Sequence, residues 1–200
     1  MSVVSSWTDE HEPMTVDDLK QLPDDGRRYE LVDGRLDVSP SPVFRHSDTE
    51  SRLHLHLGNN APKGYKVLQG AGYNFNGNRR HHRIPDLSVI HSDAAEFPYL
   101  TRPPLLAIEV VSPESVLRDH HTKHREYAEF GIQAYWIVTP APDEPGIIEF
   151  RLSDGAFRNV QQVIGEDTFT TDFPFPIRIV PHWLLCDDDD WRDRIGGEGD

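Results

Sequence analysis

The sequence predicts an α/β (α+β) fold in which a mixed central sheet is flanked by helices, with an extra N-terminal hairpin and extra C-terminal strands. Three observations carry this. Leu105 to Val111 is apolar at six of seven positions, the pattern of a strand covered on both faces. Asp119 to Phe130 reads as a helix closed by Gly131 and is followed by a further apolar strand, Ala134 to Val138, stopped by Pro140. A helix between two such strands implies a right-handed parallel crossover. Tyr29 to Val32 and Arg35 to Val38 flank Asp33-Gly34, a two-residue hairpin signal that adds antiparallel pairing.

The remaining elements follow in chain order. Residues 1–13 have no periodicity and are expected to be disordered. Thr15, with Asp18 three residues on, starts a short helix that ends near Leu22-Pro23. Glu30 lies on the first hairpin strand, next to the turn. After Pro40-Ser41-Pro42, a helix from about His46 to Leu57 puts Leu53 and Leu57 on one stripe and His46 and Glu50 on another. Tyr65 to Leu68 and Tyr73 to Phe75 are strands separated by Gly70 and Gly72. Asn76-Gly77-Asn78 then turns the chain into the basic loop Arg79-Arg80-His81-His82-Arg83. Asp86, just after Pro85, heads a short apolar strand with Leu87, Val89 and Ile90. Past Pro145 come short strands at Ile147 to Leu152, Phe157 to Gln162, Phe169 to Thr171 and Ile177 to Val180, with Asp154-Gly155 as a turn. The domain is expected to span 14–186, followed by an acidic disordered tail over 187–200.

Composition narrows the function. A chain of 200 residues suits one domain with a real core. No apolar run approaches a membrane span, no basic-then-apolar leader opens the sequence, and Cys186 is the only cysteine. A soluble cytoplasmic protein is the expectation. The net charge of -14 opposes simple nucleic-acid binding, which depends on Lys and Arg neutralising phosphates. Part of that charge is local, because 187–200 holds seven acids against two arginines. Arg79, Arg80 and Arg83 form the opposite bias directly before Asp86, as a phosphate-facing surface or as a solvated turn. Trp183-Leu184-Leu185 and the apolar strands after Pro145 need cover, for which a homodimer is one source.

The candidate chemistry starts from Glu109. A carboxylate inside an apolar strand is costly unless it is paired or bound to a metal, and Asp86 heads a second apolar strand. Two acids on neighbouring strands would hold one hard cation. Tyr29-Glu30-Leu31-Val32-Asp33-Gly34, Pro85-Asp86, Glu109-Val110-Val111-Ser112-Pro113, Asp119 to Lys123, and Tyr127 through Tyr135-Trp136 together resemble the Uma-type restriction endonuclease family of bacteria, within the PD-(D/E)xK nuclease superfamily. The resemblance covers roughly Met14 to Leu185. The superfamily's lysine position, two residues after the glutamate, holds Val111 here, and the family's helix-borne lysine matches Lys123.

The resemblance implies a restriction-endonuclease-like core and a hydrolase acting on DNA phosphodiester bonds. It also implies magnesium or manganese held by Asp86 and Glu109, with Lys123 and Glu30 as further catalytic groups. Other readings stay open. Lys123 stands four residues from Asp119, the spacing of an ordinary surface ion pair. Glu30 faces Arg35 and Arg28 as hairpin partners. His46, His54, His56, His120, His121 and His124 read as surface or packing residues, and His120 with His124 lacks the HExxH acid of a zinc hydrolase. The competing functions are a catalytically silent nuclease-like fold acting as a binding or regulatory protein, and a hydrolase of smaller phosphate esters.

Overall fold

The structure, a computed structural model, describes residues 12–111, 116–187 and 189–197, and leaves the side chains of 116–121 outside the description. The disorder expected for 1–13 falls almost wholly outside these residues, as do Ser112, Pro113 and the Asp119 side chain. In chain order the elements are α1 (Val16–Leu19), β1 (Arg28–Val32), β2 (Arg35–Ser39), α2 (Phe44–Asn60), β3 (Tyr65–Gln69), β4 (Tyr73–Asn74), β5 (His82–Arg83) and β6 (Leu87–His91). They continue with β7 (Leu106–Val110), α3 (Val116–Phe130), β8 (Ala134–Thr139), β9 (Gly146–Ser153), β10 (Ala156–Ile164), β11 (Phe169–Thr171), β12 (Ile177–Ile179) and α4 (Trp191–Arg194).

The central sheet runs β10-β9-β8-β7-β6-β3. Only β7 and β8 pair in parallel, joined by α3 as the expected crossover, and the other pairs are antiparallel. Side chains alternate across a strand, and β7 uses the alternation to separate two cores. Leu106, Ile108 and Val110 join Leu53 and Leu57 of α2 in one cluster. Ala107 enters the other with Tyr127 and Phe130 of α3. Glu109 has the parity of Ala107, so it points to the α3 side.

A second sheet, β2-β1-β5-β4, stands apart from the first. Its β1–β2 hairpin turns through Asp33 and Gly34, both at positive φ (52° and 83°), as two-residue hairpins require. Register places Glu30 opposite Asp37. α1 opens with the anticipated capping box of Thr15 and Asp18. Gly131, at φ 94°, ends α3 by letting its amide reach the carbonyls of Tyr127 and Ala128. No helix among the described residues is long and apolar enough to cross a membrane.

The acidic tail departs from expectation. α4 lies inside it, Trp191 and Ile195 belong to the α2-side core with Leu184, and the Val180 amide donates to the Ile195 carbonyl. Arg194 lies over the Trp183 ring and Arg52 over Trp191, each 4.9 Å from the ring centre. The tail therefore supplies cover for Trp183-Leu184-Leu185 from within the chain. Its acid-rich composition hid two apolar anchors that only tertiary packing brings home.

Candidate functional site

Leu87 faces Ile108 in the β6–β7 ladder, which places Asp86, one residue earlier, beside Glu109. Both are buried, at 1% and 5% exposure. Asp86 does not continue the strand. Its Oδ2 accepts the Val110 amide at 2.7 Å, so the side chain is locked against the end of β7. From there it meets His46 of α2, 3.3 Å from Oδ2, and Arg28 of β1, whose Nη1 donates to Oδ1. Burial alone would raise the Asp86 carboxyl; His46, Arg28 and the Val110 amide overcome it and hold the pKa at about 2.

Glu109 is met from α3. Lys123 Nζ lies 3.0 Å from both carboxylate oxygens, and the Tyr127 hydroxyl, one turn further along the helix, donates to Oε1 at 2.6 Å. Burial pushes the Glu109 pKa up, Lys123 pulls it back, and the charges of Asp86 and Glu30 push it up again, leaving it raised. The same acids reverse the effect of burial on Lys123 and raise its pKa. Glu30 completes the group. Its Oε2 is 3.7 Å from Lys123 Nζ and 3.2 Å from Arg83 Nη1, and its Oε1 accepts the Ile84 amide at 2.6 Å. Asp86, Glu109, Lys123 and Glu30, drawn from three strand regions and one helix, thus meet in one cluster. Glu30 takes neither hairpin arginine as a partner. It shares Arg83 with the opposed Asp37, each oxygen 3.2 Å from Nη1.

Within the basic loop, Arg83 departs from expectation. Arg83 is only 2% exposed and turns inward, where its Nε donates to Glu126 at 2.8 Å while Nη1 serves Glu30 and Asp37. A buried arginine with three acidic partners has no face for a phosphate. Arg79 stays exposed but pairs with Asp17 of α1, and Arg80 is exposed. His46 is also more than a surface residue, since it bonds Asp86 while its buried Nδ1 has no hydrogen-bond partner. The residues missed by sequence reasoning are Arg28, His46, Glu50 and Tyr127. Buried Glu50 has a raised pKa, first from burial and then from Asp86, which places it electrically at the same site. The i, i+4 stripe of His46 and Glu50 was the available signal. His124, by contrast, packs edge-on against Phe150 and Phe157.

Among the described residues no three His, Cys, Asp or Glu side chains form a ready cage for a metal. Asp86 and Glu109 still offer two neighbouring carboxylates, and magnesium is commonly held by one or two carboxylates with its remaining positions filled by water. The donor set fits such an ion.

No curated protein matches the chain. Among solved structures it is similar to a protein from Anabaena variabilis described as a putative nuclease belonging to DUF820, with a TM-score of 0.60 and 19% identity over 81% of this chain and 90% of that one. That likeness shows a shared fold. The model of the Uma2 family, described as a putative restriction endonuclease, matches residues 16–180, a stretch that contains the central sheet, the β2-β1-β5-β4 sheet, both long helices and the whole acid–lysine cluster. The chain belongs to the Uma2 family.

Proposed function

We propose that the protein is a metal-dependent endonuclease that hydrolyses phosphodiester bonds of DNA, with Asp86 and Glu109 as ligands of magnesium or manganese. The observation that carries this reading is the convergence of Lys123 on Glu109 at 3.0 Å, with Asp86 and Glu30 beside it. When bound, the metal would lower the pKa of a coordinated water and neutralise phosphate charge. Lys123, flanked by two carboxylates, stays an ammonium at neutral pH. It therefore donates hydrogen bonds to the phosphoryl oxygens, on which negative charge builds as the bond from the attacking oxygen to phosphorus forms and the bond to the leaving oxygen breaks, rather than acting as the base, and the proton of the attacking water would pass to solvent. Glu30, fixed by Arg83 and the Ile84 amide, positions that ammonium. Tyr127 orients Glu109. Arg79 and Arg80 extend a cationic rim outside the site.

One observation favours a second reading, the silent nuclease-like fold in a binding or regulatory role. Asp86, Glu109 and Glu30 are already met by Arg28, Lys123 and Arg83, so the cluster is neutralised by side chains alone. Calorimetric titration with manganese separates the two. A stoichiometric binding heat in the wild type that disappears in Glu109→Gln supports the metal site, and identical titrations of the two proteins would favour the silent fold.

A further inference from the structure

Beside the acid cluster, on the side away from Lys123, lies a cavity of about 480 Å³ whose lining includes Arg27, Arg28, Tyr29, His46, His82 and Tyr99. In a chain with 34 acids, no aspartate or glutamate among the described residues lines it. The neighbouring cavity on the Lys123 side, by contrast, includes Glu30 and Asp37 in its wall. Both hydrogen bonds found for the Arg28 guanidinium, to Asp86 and to the Ile84 carbonyl, leave from Nη1, so the far edge of the planar fork is left for a second acceptor. Arg27 reaches Asp25 at 3.3 Å in an exposed pair, which is weak and readily exchanged. Phe44 (83% exposed) and Phe97 (94% exposed), each two positions before a lining residue, are exposed rings of the kind on which the bases of a nucleic-acid strand stack.

We propose that this cavity is the subsite that takes a backbone phosphate of the DNA strand, with Arg28 and Arg27 as its donors. The proposal rests on the nuclease reading and gives the backbone a place next to Asp86. It also relocates the phosphate contact from buried Arg83 to a wall of the acid cluster that carries arginine without carboxylate.

The test is fluorescence anisotropy with a labelled phosphorothioate oligodeoxynucleotide, which resists hydrolysis, measured with and without magnesium over a range of salt. Arg27→Ala is exposed and safe for folding. Arg28→Lys keeps a cation on Asp86 but loses the fork. Arg158→Ala, on the edge strand β10, controls for the loss of one positive charge. The expected result is a weakening of about tenfold in the Arg27→Ala/Arg28→Lys protein and a salt slope shallower by about 0.7 in Arg27→Ala, the share of one phosphate contact on a single strand. Arg158→Ala should match wild type. Wild-type affinity and slope in the double variant would overturn the proposal, and so would a wild type that binds no oligonucleotide in either condition. Metal-dependent cleavage retained alongside such a result would leave the nuclease reading standing with the strand elsewhere. Arginine-dependent binding without any cleavage would keep the subsite and remove the nuclease.

Discussion

Lys123 is 15% exposed at its side chain and faces two buried carboxylates, so its replacement differs from the loss of a surface ion pair. From its spacing to Asp119 alone, a change to alanine would cost under ~1 kcal/mol. In the folded cluster the same change leaves Glu109 and Glu30 buried without their shared cation, which typically costs about 3–5 kcal/mol. Urea denaturation at neutral pH should show a loss of that size in Lys123→Ala. Glu126 gives a second prediction at this scale. Burial would raise its carboxyl, but His81 and Arg83 hold it at about 2, below its ordinary 4.5. A depressed acid contributes stability that is present above its unfolded value and is lost as pH falls through the folded one. Wild-type stability should therefore decline between about pH 5 and pH 2, and Glu126→Gln should start lower and decline less over that window. A parallel fall in both proteins would remove Glu126 from the acid response. Arg83 shows what single residues conceal in a sequence. It lies among four basic neighbours, while Glu30, Asp37 and Glu126, which turn it inward, are 53, 46 and 43 residues away.

At the scale of elements, β7 does most to place the site. A strand buried on both faces must alternate its side chains between two cores, so the parity of Glu109 decides that it meets α3 and not α2. The burial of β7, the crossover and the tight hairpin were legible because each is written in local pattern and turn chemistry. The pairing of β1 with β5, and of β5 with β4, was not, since two-residue strands leave no periodicity to read. That small sheet depends on a close approach at Gly72, where an added Cβ would stand 2.5 Å from Cε1 and 2.8 Å from Nε2 of the His82 ring. His82 cannot retreat freely, because its Nδ1 is bonded to Asn74 at 2.7 Å. Gly72→Ala should cost ~1–3 kcal/mol by overpacking, read as a lowered melting temperature. An unchanged melting temperature would mean that β5, and with it Arg83, adjusts more easily than the contacts suggest.

Over the whole molecule, the negative charge is handled unevenly. The central acids are buried and paired with Arg28, Arg83 and Lys123, whereas the acids of the tail sit beside two residues that the core needs. Removing 187–200 would reduce the negative charge but would also remove Trp191 and Ile195 from the α2-side core. Loss of a buried tryptophan alone costs about 3–5 kcal/mol, so the truncated protein should melt well below the full chain. Equal melting curves would mean that the body closes without α4. The acid-rich composition pointed to a disordered tail because charge counts carry no information on which apolar side chain finds a cavity. The central claim, that the acid–lysine cluster hydrolyses DNA, is tested most directly by conversion of supercoiled plasmid to nicked and linear forms with magnesium or manganese, comparing wild type with Lys123→Ala at a temperature where both are folded. Cleavage by the wild type, its loss in Lys123→Ala and its dependence on the divalent ion are the predicted result; equal cleavage by the two proteins, or none by the wild type with either metal, would contradict it.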